Sequence, residues 1–234
     1  MIFLWYADSM IQDLEKLFKG AANPELALRQ SAYMRNLFPF LGLTKPQREL
    51  LEKGLFKTTN IRDLAFLEKL LLNLWKQDHR EFQYTALCLA QRHRKILTPK
   101  ILPTLENMIR TKSWWDTVDT IAPNLVGHLV KTHPELTKLM DRWIEDPYLW
   151  IRRAALLHQL RWKETTDEEK LFEYCQKTMH EKEFFIRKAI GWVLREYSKT
   201  NPRSVKKFIS KHQSNLSALS IREGSKYLYF RIKG

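Results

Sequence analysis

One stretch, TKSWWDTVDTI (111–121), joins residue types that seldom share a segment. Trp115 and Asp119 stand four residues apart, so on a helix they lie on one face. An indole face attracts cations, and a carboxylate stabilises positive charge that develops as a bond breaks. Cleavage of a glycosidic bond is one such reaction, because the sugar carbon becomes oxocarbenium-like. The plainer reading makes Asp119 a helix-surface acid or the partner of a neighbouring Arg. Trp192, in KAIGWVLREY, falls off the apolar stripe of Ile190, Val193 and Leu194, which favours a partly exposed ring. Trp114, Val118, Ile121 and Leu125 form a stripe of their own over 112–125, read as one helix with its core face there. Trp5, Trp75, Trp143 and Trp162 are expected in the core or between repeats.

Helices must position these residues. Asn23-Pro24, Thr98-Pro99 and Asn201-Pro202 each set a capping residue before Pro, and Thr166-Asp167-Glu168-Glu169 places acids in a first turn. No strand pattern competes, so the fold class is all-α. The helices also repeat. WIRRAA (150–155) resembles FIRKAI (185–190), and SIREGS (220–225) follows at the same interval. Trp115 and Phe82 extend the phase backwards. A period near 35 residues points to helix pairs of HEAT-like form, stacked in a curved right-handed solenoid with second helices lining its concave face. Arg152, Arg187 and Arg222 then read as structural ladder residues. Asp119 occupies the slot that holds Ala86, Ala154, Ala189 and Gly224 elsewhere, and a carboxylate among small residues breaks the array's own rule.

Composition narrows the partner. The 234 residues carry a net charge of +14. Residues 187–234 hold twelve Lys or Arg, Lys188 and Arg195 among them, against Glu196 and Glu223. Such a block suits a polyanion, nucleic acid above all. Cys88 and Cys175 lie too far apart for a zinc spacing, and the seven His form no metal motif, so no metal site is expected. MIFLWYADSM is too short for a signal peptide or a membrane span.

The blocks TKSWWDTVDTI, LWIRRAA (149–155) and EFFIRKAIGWVLREYSKTNP (183–202) resemble the AlkD family of HEAT-like-repeat DNA glycosylases, which excise alkylated purines. FLGLTKPQR (40–48) resembles that family's amino-terminal stretch, with Leu43 and the Arg register departing slightly. The likeness runs from about residue 24 to 228. It implies that Asp119 is the catalytic carboxylate, that Trp115 and Trp192 flank the lesion-bearing nucleotide, and that Arg153 contacts the DNA backbone nearby. Tyr33, in AYMRN, resembles a residue that approaches the duplex from the other end of the groove. Lys188 and Arg195 complete the expected DNA-binding set.

The expectation is therefore a single HEAT-like-repeat domain over 1–234, with 1–20 as an extension or first helix. It acts as a monofunctional glycosylase on N3- or N7-alkylated purines, with double-stranded DNA as partner and no cofactor, metal or membrane. A monomer in the bacterial cytoplasm, associated with the nucleoid, completes the picture. Two alternatives remain open: a non-catalytic HEAT module that binds nucleic acid, and a protein–protein scaffold.

Overall fold

The computed structural model describes residues 2–56, 61 and 63–228, with side chains of the first helix described from Ala7 onward. Trp5, Arg231 and Lys233 therefore lie outside the described side chains. Helices joined by turns and loops make up the described residues, and no strand occurs among them. The described chain gathers into two compact units, residues 1–104 and 105–234.

The first unit contains α1 (Ile2–Gly20), α2 (Pro24–Tyr33), α3 (Lys45–Phe56), α4 (Leu64–Lys76) and α5 (Arg80–Arg92). Apolar residues at helical spacing supply its core. Ala7, Met10, Ile11, Leu14 and Phe18 of α1 are buried, as are Leu67, Leu70, Leu71, Leu74 and Trp75 of α4. The Phe18 and Phe82 rings meet at 5.2 Å, joining α1 to α5. Helix α2 buries no residue, so polar bonds must hold it in place. Asn23 caps it by accepting from the Leu26 N–H, while the Gln30 amide donates to the Leu43 carbonyl and the Ser31 hydroxyl to that of Phe38. The loop these bonds reach is itself clamped. Glu81, at the start of α5, accepts from the N–H groups of Leu41, Gly42 and Leu43 at 2.9, 2.9 and 3.2 Å. Gly42 sits at φ 84°, and a Cβ there would lie 2.0 Å from the Asn23 carbonyl oxygen, so only glycine allows the loop to approach α2 this closely.

Helix α6 (Leu102–Arg110) follows a 3-10 turn at Pro99–Ile101. The Thr98-Pro99 start thus opens that turn and not an α-helix, and the Thr98 side chain caps nothing. The second unit then builds α7 (Trp115–Ile121), α8 (Gly127–Thr132), α9 (Thr137–Trp143), α10 (Leu149–Leu157), α11 (Glu168–Thr178), α12 (Phe184–Tyr197), α13 (Pro202–Lys211) and α14 (Ala218–Gly224). The 35-residue period is physical. Helices α7, α10, α12 and α14 pack each against the next, and α9, α11 and α13 flank them as a second layer. Bonds recur at the repeat interval: Tyr148 Oη donates to Ser113 Oγ at 2.8 Å, and Trp162 Nε1 to the Gly127 carbonyl at 3.1 Å. Ala154 and Ala189 are fully buried where second helices meet, as is Ala86 in the first unit. A Cβ on Gly191 would come within 2.6 Å of Glu223 Cβ, which shows how closely α12 and α14 approach.

Two of the expected ladder arginines converge on one turn. Arg152 donates to both Glu181 carboxylate oxygens at 2.9 and 2.7 Å, and Arg187 donates to the Glu181 carbonyl. Arg222 is exposed instead. Caps fall where the sequence places them at Asn23 and Asn201, and Asp167 caps α11 by accepting from the Lys170 N–H.

Candidate active site

The doubled tryptophan divides its labour. Trp114 precedes α7 with an extended backbone, φ −161°, and does not continue the stripe of Val118, Ile121 and Leu125. Its ring packs with Trp150 at 5.5 Å and edge-on to Phe185 at 5.0 Å. Trp150 and Phe185 head α10 and α12, so Trp114 fills the aromatic ladder in its repeat. That leaves Trp115 as the first residue of α7, half-buried, one turn before Asp119. The preceding turn is pinned by the Tyr148–Ser113 bond and by Arg110, which donates to both Asp146 carboxylate oxygens.

The helix bearing Asp119 does not run straight to residue 125. Pro123 has no N–H to donate to the Asp119 carbonyl, and its ring would clash with that carbonyl in an α-helix. The chain widens into a π turn over Ala122–Val126, closed by the Gly127 N–H donating to the Ala122 carbonyl. The Asn124 side-chain amide donates to the Thr120 carbonyl at 2.8 Å, where the α pattern lapses. Gly127 is obligatory at the end of this turn, since a Cβ would lie 2.0 Å from the His158 carbonyl oxygen.

Asp119 meets Arg153 of α10. Arg153 Nε and Nη2 donate to Asp119 Oδ1 and Oδ2 at 2.7 and 2.8 Å. The remaining Nη1 donates to the Phe185 carbonyl, and the guanidinium lies 5.8 Å from the Phe185 ring centre. The Arg153 side chain is 3% exposed and that of Asp119 13%. Burial pushes the Asp119 carboxyl above the ordinary aspartate range; the bonds and charge of Arg153 oppose that push, and Asp116 adds to it. The site is thus a carboxylate held in one orientation, with burial disfavouring its charge, the Arg153 cation favouring it, and a small part open to solvent.

Three expected DNA contacts look different in three dimensions. Arg153 has its guanidinium bonded to both Asp119 carboxylate oxygens and to the Phe185 carbonyl. Lys188 and Arg195 both donate to Glu223 of α14, at 2.9 and 2.8 Å, and Lys226 joins them at 3.0 Å. Glu223 is buried, and the Lys188 bond foremost, with Lys226 behind it, holds its carboxyl down to about 2. Trp192 is half-buried, on the α12 face that also carries Phe185 and Ala189, while Ile190, Val193 and Leu194 are buried. Tyr33 closes α2 in the first unit and is 71% exposed, just before Arg35 and Asn36, both with φ near 57°. Glu223 was missed by sequence reasoning, although it falls 35 residues after Lys188 and 70 after Arg153, in one row of the repeat.

The class is an all-helical repeat protein whose second helices carry a half-buried, ion-paired carboxylate one turn from an indole. A family model described as DNA alkylation repair enzyme matches residues 14–228, and the chain belongs to that family. A solved structure, a predicted DNA alkylation repair enzyme from Enterococcus faecalis, is similar at 36% identity, covering 88% of this chain and 96% of its own, with a TM-score of 0.82. The structure of smu.31 from Streptococcus mutans UA159 shares the fold at 18% identity, over 78% of this chain and 92% of its own, with a TM-score of 0.58. No curated protein matches the chain. The family assigns a role in the repair of alkylated DNA. No described helix is long and apolar enough to cross a membrane.

Proposed function

We propose that the protein is a DNA glycosylase that hydrolyses the N-glycosidic bond of cationic N3- or N7-alkylated purines in duplex DNA. The observation that carries this reading is Asp119: a carboxylate in a slot otherwise given to Ala or Gly, fixed by Arg153 and still partly open to solvent. Alkylation at N3 or N7 gives the purine a positive charge, so the base departs without a general acid. The remaining task is to stabilise the sugar as it becomes oxocarbenium-like and to admit water. A negative charge held in place beforehand does this without reorganising during the reaction. Arg153 favours that charge, in opposition to the burial that disfavours it. The Trp115 and Trp192 faces suit a cationic base and the electron-poor C–H groups of deoxyribose.

The test is single-turnover release of 7-methylguanine or 3-methyladenine from duplex DNA, read as abasic sites at enzyme excess. No abasic sites under those conditions would remove the glycosylase reading. A second reading has one observation in its favour, since both Asp119 oxygens are engaged by Arg153, as in a purely structural ion pair. On that reading the protein binds DNA without cutting, and the same assay separates the two.

A further inference from the structure

Helix α13 departs from the other flanking helices of the second unit. On α11, Lys170 is paired with Asp141 at 2.8 Å and Lys177 with Glu145 at 2.7 Å. Helix α13 carries Arg203, Lys206, Lys207 and Lys211 and no acid. All four side chains are exposed, and none is ion-paired among the described residues. Helix geometry gathers them with Ser210 into an arc of about 140°. Val205, Phe208 and Ile209 occupy the opposite arc and are buried. That buried side packs toward α12 and α14, and Phe208 stacks on Phe172 of α11 at 4.4 Å. The cationic arc therefore points away from the row of second helices that bears Asp119 and Trp192.

We propose that this arc is a second DNA-binding surface, which holds a duplex segment separate from the one engaged by the Asp119 row. Soluble surfaces ordinarily mix both signs of charge. Four cations without an ion-pair partner on little more than two helical turns repel one another, whereas a polyanion relieves the repulsion. From Arg203 to Lys211 the helix rises about 12 Å, the length over which one DNA strand presents three or four phosphates. Flexible lysines on an exposed helix suit backbone phosphates, which carry charge and no sequence. A membrane-surface helix needs its apolar face free for lipid, and α13 spends that face on its own core. A protein holding two segments can pass from one to the other without full release, because the second site acts at high effective concentration. This surface does not depend on the reaction proposed above.

The experiment replaces all four with glutamine (Arg203→Gln, Lys206→Gln, Lys207→Gln, Lys211→Gln), a good helix former at exposed positions, with folding checked by circular dichroism. Two short undamaged duplexes, one carrying a donor dye and one an acceptor, report bridging by energy transfer. Wild type should bridge them with one chain per duplex pair, as read by light scattering. The fourfold variant should bind one duplex, fail to bridge, and release base from saturating alkylated duplex at the wild-type rate. Raising salt from 50 to 200 mM should weaken capture of the second duplex about 100-fold, as for four neutralised phosphates. Absence of bridging by wild type, equal bridging by the variant, or two chains per pair would overturn the proposal. So would equally tight binding of phosphatidylserine-doped vesicles through the same four residues. Loss of base excision with bridging intact would count against the glycosylase reading alone.

Discussion

Arg153 grips both carboxylate oxygens of Asp119 across 34 residues of chain, at 2.7 and 2.8 Å. The pair is asymmetric. Arg153 is the more deeply buried partner and spends its third nitrogen on the Phe185 carbonyl, so the guanidinium is fixed from two sides. The carboxylate keeps the only solvent-facing edge of any size. In the glycosylase proposed above, the chemistry at this pair would fall to Asp119 and its support to Arg153.

Asp119→Asn keeps the shape and removes the charge. Base release should slow by roughly 10²–10³-fold, as for loss of one preorganised electrostatic group. Affinity for intact duplex should hold or rise, because a charge that repels phosphate is gone. Single-turnover excision and duplex binding, measured side by side, check this; an unchanged rate would take Asp119 out of the mechanism.

Arg153→Ala should act on the carboxylate. Without its cation, Asp119 is left with the burial that already raises its carboxyl, so the acid limb of the pH–rate profile should move further up. The sign follows from the need for an ionised carboxylate: activity falls as pH drops through a pKa above the ordinary range, and more so in the variant. Leaving a buried charge unpaired should also cost about 3–5 kcal/mol of stability. The salt slope of DNA binding should stay unchanged. A slope lower by about 0.9 would instead mean that Arg153 contacts a phosphate.

Trp115→Ala should lower the excision rate and also reduce discrimination between alkylated and normal DNA. A cation–π contact of about 0.5–2 kcal/mol corresponds to roughly 2- to 30-fold. Competition between methylated and unmethylated duplexes gives the number. Equal losses on both would assign the ring to packing beside its neighbour Trp114.

Glu223→Gln tests the three-cation hub. The Glu223 carboxyl is held down to about 2, so its contribution to stability is complete above the ordinary glutamate range and disappears as pH falls through about 2. The variant should be less stable at neutral pH by on the order of 2 kcal/mol, discounted for the partial exposure of Lys188 and Lys226. Denaturation at neutral pH and near pH 2 should show the gap closing; a gap independent of pH would mean lost packing and not lost charge.

Much of this architecture can be read before any coordinates. The 35-residue phase predicts which helices lie side by side, and α7, α10, α12 and α14 do so. Asp119 stands out because the array itself supplies the comparison, and Trp192 because its helix has a clear apolar stripe without it. What escaped depends on partners distant in sequence. The basic carboxy-terminal block reads as a sum of charges, yet Lys188, Arg195 and Lys226 are taken up by one buried acid while Arg203, Lys206, Lys207 and Lys211 are not. Trp114 reads as a stripe residue until its extended backbone places it against Trp150 and Phe185. Pro123 was a legible warning, four residues after Asp119, that a plain helix could not continue there.

The π turn at Ala122–Val126 amounts to one residue inserted into an otherwise α-helical run from Trp115 to Thr132. An array of this kind invites module exchange, one second helix grafted in place of another. Here the graft would fail by phase. A donor helix lacking the insertion would turn everything beyond the turn by about 100°. Gly127 would leave the His158 carbonyl, and a residue with a Cβ would arrive where the clearance is 2.0 Å. The repeat that carries Asp119 is thus bound to its place in the chain by a count of residues, in addition to the residues themselves.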